Sequence, residues 1–187
     1  MTHSAWKACA VVLCVAALVP PLAAQAPTPA PVAADTAALE FHGFRAGVPL
    51  DEIAARLRAA DGTRLRCERA KADRRITECR GMVSDPALGG PVQLWLSAVD
   101  SVTSVLTLSA AVGPDQLDAW RSALERRYGR VGARVQGPQW MMQWVRRGRM
   151  LRLTWRVDGG GKVASVALVD GRVLDAWGRD RARRAAS

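Results

Sequence analysis

The stretch Met150-Leu151-Arg152-Leu153-Thr154-Trp155-Arg156-Val157 is the clearest strand pattern in the chain. Its odd positions are apolar, and its even positions after Met150 are polar. Successive side chains of a strand point to opposite faces, so the alternation predicts one face against a core and one face in water. That pattern is typical of an antiparallel sheet that is covered on one side.

Two further strands are predicted on either side of this stretch. Before it, Trp140, Met142 and Trp144 alternate with other residues within 139–146, and Arg147-Gly148 joins the two segments. After it, the glycine-rich turn at 158–161 leads into a third alternating segment at 163–170. The three segments together predict an antiparallel meander.

The preceding part of the chain predicts two helices and four more strands. An apolar stripe of Leu50, Ile53, Ala54 and Leu57 indicates a helix at 49–61. A second helix begins at Pro114 and ends at Gly129. Its apolar face comprises Leu117, Trp120, Leu124 and Tyr128. Period-two alternation predicts strands at 63–69, 75–83, 92–97 and 102–109.

The order helix, strands, helix, strands predicts an α+β fold. We expect an antiparallel sheet, or sheets, with the two helices packed on one face. The repeated order raises the possibility of a diverged tandem αβ repeat, although the two helices differ in register by an insertion. The question of duplication stays open at this point.

The first 26 residues have the pattern of a cleavable signal peptide. A short polar stretch with Lys7 precedes an apolar run at 8–19, then Pro20-Pro21 and several alanines. A membrane anchor is the alternative, but a spanning helix needs about 20 apolar residues without such a break. Cys14 follows Val11-Val12-Leu13 and so lacks the small preceding residue of a lipidation site, and Cys9 follows Trp6-Lys7-Ala8 inside an incomplete apolar run. We therefore expect a periplasmic or secreted protein.

The rest of the chain divides into three parts. A Pro/Ala-rich linker is expected at 27–38 and a single α+β domain at 39–178. Residues 179–187 carry four arginines and one aspartate, which predicts a basic disordered tail.

Loss of the signal would leave Cys67 and Cys79 as the remaining cysteines. In an oxidising compartment they predict one disulfide across a hairpin that turns near 70–74. A metal pair is the alternative, but two cysteines without a nearby histidine do not fill a zinc site. The disulfide is expected to stabilise the fold by about 3 kcal/mol.

The formal net charge is +10, and most of the basic residues are arginines. Such a charge is typical of proteins with an anionic partner, such as acidic lipid or lipopolysaccharide. It also arises when a GC-rich genome replaces lysine with arginine through codon bias. Nucleic acid is not an expected partner, because export would separate the chain from it and it has no nucleic-acid motif.

Residues suited to catalysis are few. His42 is the one histidine outside the predicted signal, and the sequence has no nucleophile elbow or phosphate-binding loop. Glu68, Glu78 and Glu125 are the carboxylates considered for glycoside chemistry. Glu68 and Glu78 lie among arginines, which favours surface salt bridges. We predict no catalytic residues, no metal site and no cofactor, and expect a protein that is not an enzyme.

The candidate anion-binding residues surround the opening stretch. Arg152 and Arg156 share one side of the strand with Thr154 between them, and three more arginines crowd its leading turn. The candidate set is Arg146, Arg147, Arg149, Arg152 and Arg156. Guanidinium groups hold phosphate or carboxylate through forked hydrogen bonds. A solvated arginine face without a ligand is the alternative interpretation.

Two segments carry a resemblance to known proteins: Phe44-Arg45-Ala46-Gly47-Val48-Pro49-Leu50 before a helix, and Leu124-Glu125-Arg126-Arg127-Tyr128-Gly129 before a tryptophan-bearing strand. With the cysteine pair between them, the chain resembles small exported bacterial proteins of unknown function. It is similar to β-lactamase-inhibitor-like and SmpA/OmlA-type helix-on-sheet domains. It departs from them in lacking a lipidation cysteine and a Gly-x-Pro after the first helix.

The resemblance implies a non-catalytic binding or scaffolding module of the cell envelope, and it carries over no functional residue. The expected partner is a protein or an envelope component. Two alternatives stay open: a binder of anionic lipid or lipopolysaccharide surfaces through the arginine face, and an envelope hydrolase of unfamiliar type.

Overall fold

Ten strands, three α-helices and one short 3₁₀ helix make up residues 38–186, the part of the chain that the computed structural model describes. The helices are α1 (Leu50–Ala59), α2 (Pro114–Tyr128) and α3 (Gly171–Ala186), and the 3₁₀ helix is Pro86–Leu88. The strands are β1 (Glu40–Phe41), β2 (Phe44–Arg45), β3 (Arg66–Arg69), β4 (Ile76–Val83), β5 (Val92–Val99), β6 (Val102–Val112), β7 (Arg134–Gln136), β8 (Gln139–Arg146), β9 (Arg149–Asp158) and β10 (Gly161–Asp170). The predicted signal peptide at 1–26 and nearly all of the predicted linker lie outside the described residues.

The predicted α+β fold with an antiparallel sheet is confirmed. Strands β3 to β10 form one sheet in the order β3-β4-β5-β6-β10-β9-β8-β7, and every neighbouring pair is antiparallel. Strands β1 and β2 form a separate two-stranded hairpin. The predicted meander corresponds to β8, β9 and β10.

The chain order repeats within the described residues. Helix α1 is followed by the meander β3-β4-β5-β6, and helix α2 is followed by the meander β7-β8-β9-β10. The two meanders join side by side through β6 and β10, at the centre of the sheet. The possible tandem αβ arrangement therefore exists at the level of topology.

The two faces of the large sheet differ in burial. We call the buried side the inner face; a row across it is at most 2 % exposed and comprises Leu94, Leu108, Val166, Leu153 and Met142. We call the other side the outer face; the neighbouring row on it is partly or fully exposed and comprises Gln93, Ser109, Ser165, Thr154 and Met141. The alternation that predicted β9 thus extends across five strands.

One side chain of α1 and one of α2 lie close to inner-face positions of the sheet. Leu57 of α1 is almost fully buried, and a Cβ atom added at Gly81 of β4 would lie 3.1 Å from its Cδ2. At the other half of the sheet, the ring of Tyr128 at the end of α2 lies 6.4 Å from the ring of Trp144. The indole Nε1 of Trp144 also donates to the Gly129 carbonyl at 2.7 Å.

The carboxyl-terminal segment differs from the expectation of a disordered tail at 179–187. Residues 179–186 belong to α3, so the described residues contain three helices instead of the two predicted. Asp180 forms ion pairs with Arg75, Arg183 and Arg184, and the Trp177 indole donates to Asp73 at 2.9 Å. The contacts of Asp180 with Arg75 and of Trp177 with Asp73 are tertiary, so composition alone could not reveal them.

Tyr128 ties the amino-terminal hairpin to α2. Its hydroxyl accepts a hydrogen bond from the Glu40 amide at 2.8 Å and donates one to the Glu40 carbonyl at 2.7 Å. We expect Tyr128→Phe to lower the free energy of unfolding by about 1–3 kcal/mol, because it removes both bonds from a buried site. Urea denaturation measures this loss.

Arg127→Gln is the matched control, since it removes the partly exposed ion pair of Arg127 with Glu40 and its cation–π contact with the Tyr128 ring but leaves both bonds of the hydroxyl in place. Its expected cost is below about 1 kcal/mol. Equal stability losses in the two variants would contradict the role given to the tyrosine hydroxyl.

Candidate functional site

The structure divides the five candidate arginines between the two faces of the sheet. Arg152 and Arg156 lie on the outer face with Thr154, as the alternation of β9 predicts. Arg146 and Arg149 lie at inner-face positions at the end of β8 and the start of β9. Arg147 lies in the turn between them, with φ of 47°.

Most of these arginines are engaged within the protein. Arg152 donates to the side-chain oxygen of Gln143 from Nε at 3.0 Å and from Nη2 at 2.8 Å. Arg156 pairs with exposed Asp158 at 3.1 Å, and Arg146 donates to the Tyr128 carbonyl at 2.9 Å. The set therefore does not form one continuous anion-binding patch.

Asp170 is a buried carboxylate between two arginines. Its side chain is fully buried; it accepts from Arg149 Nε at 3.0 Å and from Arg172 Nη2 at 2.6 Å. Burial opposes its ionisation, but the hydrogen bonds from Arg172 and Arg149 outweigh burial and lower its pKa to about 2. A Cβ atom at Gly47 would lie 2.2 Å from Asp170 Oδ2, so a glycine is required beside the carboxylate. This cluster closes one end of the inner face and has a structural role.

His42 lies in the turn of the β1-β2 hairpin, with φ of 48°. Burial lowers the pKa of its imidazole; neighbouring Asp85 opposes that shift and Arg56 adds to it. Arg56 holds the turn by donating to the His42 carbonyl at 3.0 and 2.8 Å. The ring itself contacts Phe41 edge-on, at 4.5 Å between centroids, which is a packing arrangement.

The three tryptophans near the opening stretch all lie at inner-face positions. Trp144 is 4 % exposed, whereas Trp140 is 39 % exposed and stacks on Trp155 with 6.4 Å between ring centroids. The Arg121 guanidinium of α2 lies over the Trp155 ring. These rings therefore cannot extend a site formed by Arg152 and Arg156 on the opposite face.

A large concavity lined by described residues lies on the half of the sheet made by β3 to β6. We call it the arginine groove; it has a volume of about 1010 Å³. Its lining is Thr63, Arg64, Leu65, Arg66, Arg80, Gly81, Met82, Gln93, Leu94, Trp95 and Ser109. Cations, apolar side chains and hydrogen-bonding groups are therefore combined in one place.

Three arginines of the groove carry uncompensated charge. Within residues 38–186, the side chains of Arg64, Arg66 and Arg80 make no ion pair and no hydrogen bond. Arg66 and Arg80 are directly opposite each other in the β3-β4 pair, where like charges repel. The salt bridges expected between these arginines and Glu68 or Glu78 are not formed among the described residues; Glu68 instead lies opposite Glu78.

The pair Cys67 and Cys79 forms the predicted disulfide, which is confirmed. The two cysteines are directly opposite in β3 and β4, one position along from Arg66 and Arg80. Among the described strands, β3 lies at the edge of the sheet and pairs only with β4. The disulfide therefore anchors the strand that carries Arg66 into the groove.

A smaller concavity occupies the corresponding place in the second meander. It measures about 320 Å³ and is lined by Val131, Gly132, Ala133, Arg134, Met141 and Gln143. Both concavities form where the chain leaves a helix and enters the edge strand. The smaller one contains a single arginine, so the concentration of positive charge is specific to the arginine groove.

Comparison with protein-family models, curated proteins and solved structures found no match. Inferences about function therefore rest on the contacts and charges of this chain's own residues.

Two further observations concern metals and membranes. Among residues 38–186, no three side chains of the His, Cys, Asp or Glu types lie together as a metal ion would require. In that same range no helix has the length and apolarity needed to cross a bilayer.

Sequence reasoning missed the arginine groove because its parts are distant in the chain. Residues 63–66, 80–82, 93–95 and 109 meet only after four strands have paired. The signal available in the sequence was that Arg64 and Arg66 lie in one predicted strand of a hairpin and Arg80 lies in the other. We interpreted those arginines as partners of Glu68 and Glu78, and so did not assign them a ligand.

Proposed function

We propose that this protein is an exported, non-catalytic binding or scaffolding module of the cell envelope whose partner contacts the outer face of the sheet. The observation that carries the proposal is the arginine groove, a concavity of about 1010 Å³ whose three arginines have no anionic partner among the described residues. A concave surface lined by charge of one sign focuses the electrostatic field and favours a complementary ligand.

The groove lining supports binding over catalysis. It contains no aspartate, glutamate, histidine or cysteine. General acid–base and nucleophilic mechanisms need such a group within hydrogen-bond reach of the reacting atoms. The hydroxyls of Thr63 and Ser109 have no adjacent base in the lining, so the chemistry available there is recognition.

The alternative of a flat anionic surface bound through Arg146 to Arg156 receives less support. Arg146 and Arg152 donate to protein acceptors, and Arg156 is ion-paired. Arg146 and Arg149 also lie on the opposite face from Arg152 and Arg156, so a single membrane plane would not meet all of them.

Site-specific photo-crosslinking in the native envelope tests the proposal. We expect a crosslinker at exposed Gln93 or Arg156, both on the outer face, to give an adduct with the same partner. A crosslinker at Asp118 or Ser122, exposed on α2, serves as the control and is expected to give no such adduct. Equal adducts from all four positions would contradict an outer-face interface. Turnover of a cell-wall or ester substrate that is lost on replacing one carboxylate or serine would contradict a non-catalytic module.

A further inference from the structure

We infer that the arginine groove binds an extended acidic peptide segment of a partner protein, one that also carries apolar side chains. This inference rests on the proposed function and assigns a ligand class to its site. Four features of the groove support it: the charge, the apolar lining, the free hydrogen-bonding groups and the shape.

The charge of the groove calls for a carboxylate-bearing ligand. Arg66 and Arg80 are opposite each other on neighbouring strands, and Arg64 precedes them at the rim. All three side chains are exposed and lack an anionic partner within the described range. A carboxylate between two guanidinium groups accepts forked, charge-assisted hydrogen bonds from them and relieves their mutual repulsion.

The remaining lining fits a peptide better than a small inorganic anion. Trp95, Leu65 and Met82 are half-buried and offer an apolar surface for aliphatic side chains. Gln93 and Ser109 have polar groups without a hydrogen-bond partner among the described residues, so they are available to a peptide backbone. A phosphate or sulfate would use only the arginines and leave this surface in water.

The shape of the groove favours a peptide over a membrane. A bilayer presents a plane of headgroups, which contacts protruding side chains and does not reach a half-buried ring such as Trp95 in a concave site. The volume of about 1010 Å³ lies at the upper end of small-molecule sites, which are about 300–1,000 Å³. Several residues of an extended chain, each about 3.3 Å long, can be accommodated there.

Fluorescence anisotropy with the full chain tests this inference. The probe is a short fluorescein-labelled peptide in which glutamate alternates with leucine, and the matched peptide has glutamine at every glutamate. We expect the acidic peptide to bind, the glutamine peptide to bind at least about tenfold more weakly, and affinity to fall as ionic strength rises.

A pair of double variants locates the binding. Arg66→Ala with Arg80→Ala removes two groove arginines, and Arg69→Ala with Arg74→Ala removes two exposed arginines of the same hairpin outside the groove lining. We expect the first pair to weaken binding by about tenfold or more and the second to stay within about twofold. Circular dichroism of both variants checks that the fold is retained.

Three outcomes would overturn the inference. Equal weakening by both double variants would mean that net charge, and not the groove, attracts the peptide. Absence of peptide binding alongside sedimentation with anionic liposomes would assign the arginines to a membrane surface. Absence of peptide binding alongside outer-face crosslinks from both Gln93 and Arg156 would leave the proposed function intact and show that its ligand is not an acidic peptide.

Discussion

Asp170→Asn is expected to lower the free energy of unfolding by about 3–5 kcal/mol, the cost of removing one partner from a buried ion pair. The carboxylate is fully buried and accepts from both Arg149 and Arg172. Asparagine keeps the shape but not the charge, so Arg149, whose side chain is only 12 % exposed, would lose its ion pair with this carboxylate. Urea denaturation followed by circular dichroism measures the change.

Asp158→Asn is the matched control for this substitution. Asp158 also pairs with an arginine, but its side chain is 55 % exposed and so is already solvated. The expected loss there is below about 1 kcal/mol. If the two variants lost similar stability, Asp170 would not be the buried anchor that its contacts indicate.

The same carboxylate makes a defined contribution to acid stability. Its pKa in the folded protein is about 2, below the ordinary value of 3.8, so between these two values the unfolded chain binds more protons. The contribution is therefore complete above about pH 4 and is lost as the pH falls towards 2. We expect the stability difference between the wild-type protein and Asp170→Asn to be constant near neutral pH and to shrink in that acidic window. A difference that grew on acidification would have the wrong sign.

Loss of the Cys67–Cys79 disulfide is the second large expected effect. We expect the free energy of unfolding of the double variant Cys67→Ala, Cys79→Ala to be about 3 kcal/mol lower than that of the wild-type protein. This value follows from the loop-entropy relation for a disulfide that closes so short a loop. Alanine is preferred to serine because Cys79 is fully buried. Urea denaturation without reductant measures the difference.

The control is the wild-type protein in reductant, which should match the double variant. Hydrogen exchange should also show faster opening of β3 in both, since within residues 38–186 β3 pairs only with β4 and all four of its residues are exposed. An unchanged stability in the double variant would mean that the β3-β4 hydrogen bonds alone hold the edge strand.

The disulfide also bears on the arginine groove. Arg66 and Cys67 are adjacent in β3, and Arg64 and Leu65 of the lining precede them. A loosened edge strand would therefore widen the groove and weaken its binding of the acidic peptide. The proposed binding site thus depends on an oxidised cysteine pair, in agreement with the expected export to an oxidising compartment.

Local sequence patterns predicted most of the helices and strands. The apolar alternation at 139–146, 150–157 and 163–170 corresponds to β8, β9 and β10, and the apolar stripes correspond to α1 and α2. Strands β1, β2 and β7 were not predicted, because segments of two or three residues do not establish a period. The predicted strand at 63–69 begins only at Arg66. The three preceding residues line the groove, and the hydroxyl of Thr63 accepts a hydrogen bond from the Met82 amide of β4.

Side-chain partners were the part that local patterns did not predict. Parity along β9 correctly placed Arg152 and Arg156 on one face. The nearby Arg149 has the opposite parity, and its partner Asp170 lies 21 positions away at the end of the next strand. Likewise, Asp180 of α3 pairs with Arg75, which lies 105 positions earlier in the sequence. The composition of this segment suggested disorder because composition does not reveal such a contact.

The amino-acid sequence by itself determined the type of each main element, the antiparallel character of the sheet and the pairing of the two cysteines, because all three depend on short periods and spacings. Only the tertiary structure decided which arginines keep a free charge. That property depends on whether an acceptor lies within hydrogen-bond distance in space, and strand order brings Arg64, Arg66 and Arg80 together without one among the described residues.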